Sequence, residues 1–207
     1  MPSPVDHDVR RRQVTRIAAD LVATGGVQAL TTRNVAAAAG TSTTVVSHYF
    51  ADKRDLVLST YREVRNRVTA RLDAAEDAEN PLVSALSAYL PLDEDRRRDW
   101  RLLFAFTGLA ATDPDLAREQ RERSLAARRH LRGVLDKEVL AGRLATDLDT
   151  GRAARDLLSG VLGIGMQALF DPDRWPAAEM EDAVGTAVRG LVEASAVHLT
   201  RSGGRGG

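Results

Sequence analysis

Residues 31–50 contain two helical segments that are too short to be stable alone. TRNVAAAA (residues 32–39) and TTVVSHY (residues 43–49) each span about two turns, with Gly40 between them. Isolated helices of fewer than about 12 residues are marginal in water, so neighbouring helices must hold these two in place. The pair and its glycine-containing turn predict a helix-turn-helix, in which the first short helix braces the second.

Capping residues divide the same stretch into helices. Thr31 and Ser42 are suitable N-caps for the two short helices. Asp52 is suited to cap the next helix, with Asp55 in the capping-box position three residues later. Gly40 is expected to adopt the left-handed conformation that the turn requires.

The second short helix is predicted to show a polar side to solvent. If Val45, Val46 and Phe50 point inward, hydroxyl and imidazole groups remain outside, where they can meet base edges or phosphates. Arg33, near the start of the bracing helix, and Lys53, at the start of the next helix, add cations. The outward residues in this prediction are Thr43, Thr44, Ser47 and His48.

The rest of the chain shows helical periodicity, so the predicted fold is all-α with about nine helices. In the first helix Val14, Ile17 and Leu21 recur on one face, and Gly25–Gly26 end it. The terminal segments MPSPVDHD and RSGGRGG are expected to be disordered. Besides the two short segments, the predicted helices are residues 9–24, 52–77, 82–90, 97–111, 114–142, 150–170 and 177–199.

Composition argues against enzyme classes. The chain has no cysteine, and its four histidines lie far apart, which leaves metal catalysis little support. GVLGIG lies within a helical pattern and lacks the order of a dinucleotide-binding loop. We therefore expect no enzymatic activity, no cofactor and no metal. The longest apolar run is about half of the roughly 20 residues that a membrane span needs, so a cytoplasmic protein is expected.

Charge is divided unevenly along the chain. Residues 1–71 carry 11 Lys and Arg against 6 Asp and Glu, whereas residues 72–207 carry 18 against 23. A basic N-terminal segment followed by an acidic remainder is typical of a polyanion-binding module joined to another domain. Exposed helix faces can produce the same imbalance by chance, so charge alone leaves both interpretations open.

The stretch LTTRNVAAAAGTSTTVVSHYFADKRDLV, residues 30–57, resembles the DNA-binding signature of the TetR family of transcriptional repressors. Its SHYF form is similar to the subgroup of choline-responsive betaine regulators (BetI-like). Many relatives have tyrosine at the position of Ser47 and histidine at that of Tyr49. The resemblance implies an N-terminal DNA-binding domain at 1–51 and a C-terminal ligand-binding and dimerisation domain at 52–207, with helix 4 as the link.

The resemblance also implies roles for individual residues. Thr32 and Arg33 would touch the DNA backbone or groove, and Thr43 and Thr44 would read bases. The remaining set, Ser47, His48, Tyr49 and Lys53, would hold the recognition helix on the phosphates. His48 is expected to substitute for the tyrosine contact that many relatives make.

Two further sites are predicted in the C-terminal part. The last two helices have wide apolar faces, interpreted as half of a four-helix dimer interface, with an ordinary intrachain core as the alternative. Its residues are Leu158, Leu162, Gly165, Leu169, Val184, Val188 and Leu191. An effector cavity is predicted from large apolar side chains, which are otherwise core residues. These are Tyr89, Trp100, Phe104, Met166 and Phe170.

The function predicted from these features is that of a ligand-responsive transcriptional regulator. It would repress as a homodimer on a pseudo-palindromic double-stranded DNA operator and be released by a small-molecule effector. The alternative is an all-helical small-molecule-binding or scaffolding protein without DNA-binding activity.

Overall fold

In the computed structural model, the described residues are 4–75 and 78–203, with side chains described for 9–75 and 78–196. This part of the chain is helical, which confirms the all-α prediction. It contains one 3₁₀ turn, Val27–Ala29, and nine α-helices. The α-helices are α1 Pro4–Gly25, α2 Thr32–Ala38, α3 Thr43–Tyr49, α4 Lys53–Ala75, α5 Pro81–Ser87, α6 Glu94–Ala110, α7 Pro114–Leu140, α8 Thr150–Phe170 and α9 Ala177–Gly203.

The chain divides into two compact units. The first comprises Met1–Ala70 and Glu94–Gln120, and the second Arg71–Asp93 and Arg121–Gly207. The helix-turn-helix is therefore packed together with most of α4, all of α6 and the start of α7. Whether residues 1–51 act as a separate DNA-binding domain stays a prediction.

An aromatic pair lies at the centre of the first unit. Tyr61 of α4 is fully buried and stacks on Phe106 of α6, with 3.7 Å between ring centroids. The Tyr61 hydroxyl donates a 2.8 Å hydrogen bond to the side chain of Gln120, so the buried phenol keeps a polar partner. Around the pair, α1 packs against α2 and α6, and α2 packs against α3.

The predicted caps of the short helices are confirmed. The side chain of Thr31 accepts from the Asn34 N–H at 3.1 Å, and that of Ser42 accepts from the Val45 N–H at 3.3 Å. Gly40 has φ of +60°, as the turn requires. Each two-turn helix thus starts with one of its exposed backbone donors satisfied.

The capping of α4 differs from a standard capping box. Asp52 accepts from the Asp55 N–H at 2.7 Å, as predicted. The carboxylate of Asp55 reaches back to the N–H of Ala51 at 3.2 Å, one residue before the cap. The pair of aspartates therefore ties the α3–α4 connection to the first turn of α4.

The helices predicted at the two ends of the chain, residues 9–24 and 177–199, are shorter than those observed. The structure has α1 beginning at Pro4 and α9 continuing to Gly203, so residues 4–8 and 201–203 are helical and not disordered. Apolar periodicity ends before the helices do, because propagation adds one hydrogen bond per residue without needing apolar contacts. Residues 1–3 and 204–207, and the predicted end of helix 4 at Asp77, lie outside the described residues.

The second unit is built around α5, which packs against α8 and α9. Leu86, Leu158 and Val184 are buried in this unit. Gly142, with φ of +72°, follows the end of α7, and Arg143 turns back to bind Glu138 with two hydrogen bonds of 2.6 and 2.8 Å.

Gly40→Ala is expected to lower the free energy of unfolding by about 1–2 kcal/mol, because alanine is strained at positive φ. Gly108, which is helical with no atom within 4 Å of an added Cβ, provides a matched control. Gly108→Ala is expected to raise the free energy of unfolding by up to about 1 kcal/mol. Urea unfolding at fixed protein concentration measures both, and changes of the same sign would contradict the left-handed geometry of Gly40.

Candidate nucleic-acid interface

Helix α3 packs against the rest of the first unit through one of its faces. Val46 is 1% exposed and Phe50, just after the helix, is 4% exposed. The two are four residues apart and therefore share one face. The side chains away from that face are exposed, as predicted, and these are Thr43, Thr44, Ser47 and His48.

Val45 does not point inward, which corrects the sequence prediction. Its side chain is 36% exposed and lies among the hydroxyl-bearing residues of α3. Successive helical residues are turned by about 100°, so Val45 lies to one side of the line through the buried Val46 and Phe50. The outward surface of α3 thus combines polar groups with one aliphatic side chain.

Arg11 of α1 holds the end of α3, a role that apolar periodicity does not indicate. Its Nε donates to the backbone carbonyl of Tyr49 at 3.2 Å, and its Nη2 donates to the Ser59 hydroxyl at 2.9 Å. The guanidinium also lies 3.3 Å from Asp55 and 5.3 Å from the Phe50 ring centroid. One side chain therefore joins α1, α3 and α4.

The other predicted DNA-binding residues lie at helix starts or at the end of α3. Thr32 is half-buried and Arg33 exposed at the start of α2, and Lys53 is exposed at the start of α4. Tyr49 is half-buried and meets the ring of His48 edge-on at 5.7 Å between centroids. Helix N-termini carry partial positive charge, so Arg33 and Lys53 reinforce positions that already favour phosphate.

Ion pairs join α4 to the α6–α7 segment within the first unit. Arg54, next to Lys53, binds Asp113 at 2.6 Å and Asp115 at 2.7 Å. Further along α4, Arg67 binds Asp99, which is 3% exposed, at 3.0 Å. Four of the pairing side chains lie on α4: Arg54, Arg62, Arg65 and Arg67.

Glu119 is the most connected acid of this network. Arg62 binds it with two hydrogen bonds of 2.7 and 3.2 Å, and Arg65 adds a third at 3.0 Å. The hydrogen bond from Arg62 lowers the pKa of Glu119 below its usual 4.5, and the charges of Arg62 and Arg65 act in the same direction against burial. A nearly buried carboxylate thus stays ionised between two guanidinium groups.

The five residues predicted for an effector cavity are divided between the two units. Trp100 and Phe104 belong to the first, and Tyr89, Met166 and Phe170 to the second. Tyr89 is 6% exposed, and burial raises its pKa to about 12 although the nearby Arg123 acts in the opposite direction. Phe104, Met166 and Phe170 are exposed. Their effector role remains a prediction.

Cavities of the second unit are lined by other residues. A groove of about 740 Å³ lies beside the start of α8 and the end of α9, with Asp149, Arg152 and Leu191 among its lining. A smaller cavity of about 100 Å³ is lined in part by His130 and Glu138. The sequence analysis did not identify either cavity, because it looked for large apolar side chains and these linings include charged and small residues.

Several residues predicted for a dimer interface are covered within one chain. Gly165 and the side chains of Leu158, Val184 and Val188 are buried, as the intrachain-core alternative predicts for them. Leu162, Leu169 and Leu191 are partly exposed. The exposed apolar surface of α8 and α9 includes Met166, Phe170 and Val192. An added Cβ would meet no atom within 4 Å at Gly160, Gly163 or Gly190.

These features define a class. An all-helical chain whose N-terminal helices present a short, capped and outward-facing recognition helix has the architecture of a helix-turn-helix transcriptional regulator. Within residues 4–75 and 78–203, no helix combines the length and apolar character required to span a bilayer.

Comparison with known families agrees with this class. The model described as "Bacterial regulatory proteins, tetR family" matches residues 15–60, and "BetI-type transcriptional repressor, C-terminal" matches residues 78–193. The chain belongs to the TetR family and is a transcriptional regulator. Regulators of this family bind DNA and small-molecule effectors, typically as dimers.

Individual relatives extend over most of the chain. The HTH-type transcriptional regulator PksA of Bacillus subtilis (strain 168) is 27% identical over 178 residues, 84% of this chain and 85% of that protein. A transcriptional regulator from Rhodococcus sp. Rha1 has a TM-score of 0.78 and 26% identity, covering 89% of this chain and 97% of its own. A regulator from Saccharomonospora viridis, solved in complex with choline, has a TM-score of 0.72 and 20% identity, covering 88% and 96%.

Glu119→Gln is expected to lower the free energy of unfolding by about 2 kcal/mol near pH 7, because a buried hydrogen-bonded charge is lost. Since the pKa of Glu119 is lowered by folding, this stabilisation is complete above its ordinary value of 4.5 and is lost as the pH falls through the folded-state value. The difference between wild type and variant should therefore shrink below about pH 4.5 in urea unfolding.

Glu94 provides the control for this pH dependence. It pairs with Arg101 at 3.1 Å, but its side chain is 54% exposed. Glu94→Gln is expected to cost less than about 1 kcal/mol, because exposed ion pairs contribute little. Equal costs for the two variants would contradict the special role of Glu119.

Proposed function

We propose that this regulator binds a pseudo-palindromic double-stranded DNA operator as a homodimer, represses by occupying a promoter and is released by a small-molecule effector. The observation that carries the proposal is the outward surface of α3, which is anchored by Val46 and Phe50 and leaves four polar side chains exposed. A major groove admits a helix of this width.

Residue roles follow from position on that surface. Thr43 and Thr44, in the first turn of α3, would read base edges, since the N-terminal residues of a recognition helix contact bases. Ser47, His48 and Tyr49, in its last turn, and Thr32, Arg33 and Lys53, at two helix starts, would contact phosphates and fix the register. Ser47 is too short to replace a tyrosine, so His48 would make the contact to phosphate.

A homodimer would place two such helices in successive major grooves, about 34–36 Å apart for half-sites one turn apart. The exposed surface of α8 and α9 supports this assembly, because Met166, Phe170 and Val192 are large apolar side chains in contact with solvent. The open space beside Gly160, Gly163 and Gly190 would allow a partner helix to approach closely. Leu162, Leu169 and Leu191 border this surface.

The ion pairs of α4 would transmit effector binding to the DNA-binding helices and so release the protein from DNA. Arg54 is held by Asp113 and Asp115 in the α6–α7 turn, and Lys53 is its neighbour in sequence. An effector that favours a different position of this turn would move the start of α4 and change the spacing of the two recognition helices. Such coupling is typically worth about 1–3 kcal/mol, or 5- to 150-fold in DNA affinity.

Other parts of the proposal follow from the regulator class. The protein would act in the bacterial cytoplasm, where it meets the chromosome, and would require no cofactor and catalyse no reaction. The alternative of a scaffolding protein without DNA-binding activity is disfavoured by the match of residues 15–60 to the tetR family.

Substitutions at two exposed positions test the DNA-binding roles. Lys53→Ala is expected to weaken binding to every duplex and to reduce the slope of log affinity against log salt by about 1 per half-site, because one phosphate contact is lost. Thr44→Ala is expected to change base preference at particular positions by about 1–3 kcal/mol with the salt slope unchanged. Salt-dependent gel shifts on selected and scrambled duplexes measure both.

Lys137, exposed on α7 in the second unit, supplies a control for Lys53. Lys137→Ala removes the same charge from the chain and should leave the salt slope unchanged. An equal loss on selected and scrambled duplexes for Thr44→Ala would refute its base-reading role. If wild type binds no duplex better than another, the operator-binding proposal itself fails.

Choline is the first effector to test, since residues 78–193 match the BetI-type model and a regulator of the same fold was solved with choline. If choline is the effector, saturating amounts should weaken binding to the selected duplex about 5- to 150-fold. Because choline is supplied as a salt and DNA binding is salt-sensitive, sodium chloride at equal ionic strength is the required control. Equal effects of the two salts would rule choline out.

A further inference from the structure

The exposed aliphatic side chain on α3, that of Val45, is not part of the buried core of the first unit. Among the seven residues of α3, all of them described, Val45 is the one exposed residue with a purely aliphatic side chain. Its backbone N–H completes the Ser42 cap, but any residue other than proline provides that donor. Valine is also less favourable in helices than alanine, so the isopropyl group does not help α3 to form.

We propose that Val45 is a specificity-determining residue whose isopropyl group contacts the C5-methyl group of a thymine in each operator half-site. This inference rests on the proposed role of α3 in the major groove. Thymine carries the one apolar group on the floor of that groove, and an aliphatic side chain has no hydrogen bond to offer the other bases. A methyl group is therefore the complement that Val45 can select.

The residues around Val45 on α3 are polar and would make the other contacts to the DNA. Thr44 precedes it in the first turn, and Ser47 and His48 follow in the last turn, all exposed. Hydroxyl and imidazole groups would meet donors, acceptors and phosphates, whereas Val45 would exclude water from the thymine methyl. A cytosine at the same position lacks the methyl and is expected to be disfavoured.

Replacing thymine by uracil tests the contact, because the two bases differ only in the methyl group. Duplexes are first selected by the wild-type protein from a random pool. Two thymidines related by the operator symmetry, one in each half-site, are then replaced by deoxyuridine, and this is repeated for every such pair of positions. At one such pair of positions, the substitution should weaken wild-type binding about four-fold per half-site, the factor expected for the loss of one buried methyl group. The two half-sites together should then weaken binding roughly 15-fold. Val45→Ala, whose shorter side chain withdraws from the methyl group, should lose most of this difference between the thymine and uracil duplexes.

Two further variants complete the test. Val9→Ala makes the same change at a 52% exposed valine of α1 and should keep the full wild-type sensitivity to uracil. Val45→Thr, which keeps one methyl group and the shape of the side chain, should show an intermediate sensitivity. Circular dichroism and thermal midpoints verify that each variant is folded.

Two results would overturn the inference. One is a wild-type protein whose affinity changes at no thymine-to-uracil substitution. The other is a sensitivity to uracil that persists unchanged in Val45→Ala. Both differ from failure of the DNA-binding proposal, in which selection would enrich no duplex at all.

Discussion

The structure depends on how a seven-residue helix is held from one side. Helix α3 is too short to persist alone, so its orientation is set by Val46 and Phe50 below it and by Arg11 at its end. The contact from Arg11 goes to the carbonyl of Tyr49, which is a backbone atom. The same guanidinium binds Ser59 on α4, so the recognition helix and the connecting helix share one support. A displacement of α4 therefore reaches α3 without any change in the residues of α3 itself.

The ion pairs of α4 join it to segments of the first unit that are distant in sequence. Asp99, Asp113 and Glu119 follow Arg54 by between 45 and 65 positions in sequence, yet they neutralise arginines of α4. Nearly buried carboxylates such as Asp99 and Glu119 require such partners, because an unpaired charge in the interior is costly. The first unit, which contains the helix-turn-helix, is thus completed by segments that the predicted scheme assigns to the C-terminal domain at 52–207.

Much of this fold was predictable because its signals are local. Capping by Thr31 and Ser42, the positive φ of Gly40 and the positions of the long helices, apart from the outer ends of α1 and α9, follow from neighbouring residues and apolar periodicity. The orientation of Val45 was not predictable in this way, since a two-turn helix offers too few positions to define its buried face. The roles of Arg11 and Glu119 depend on partners more than 35 residues away, which periodicity does not report. Predicted interface residues such as Leu158 and Val184 are buried within one chain. Their apolar pattern did not reveal this, because such patterns do not distinguish the core of one subunit from a contact between two.

The paired arginines of α4 have a consequence for how the protein finds its target. Arg54, Arg62, Arg65 and Arg67 make up a large share of the basic excess of the N-terminal segment, but each has a carboxylate partner within the same unit. Side chains already bound to carboxylates release few counterions from random chromosomal DNA. We therefore expect weaker binding to unrelated chromosomal sequence, and a shorter residence there, than the formal charge of residues 1–71 suggests.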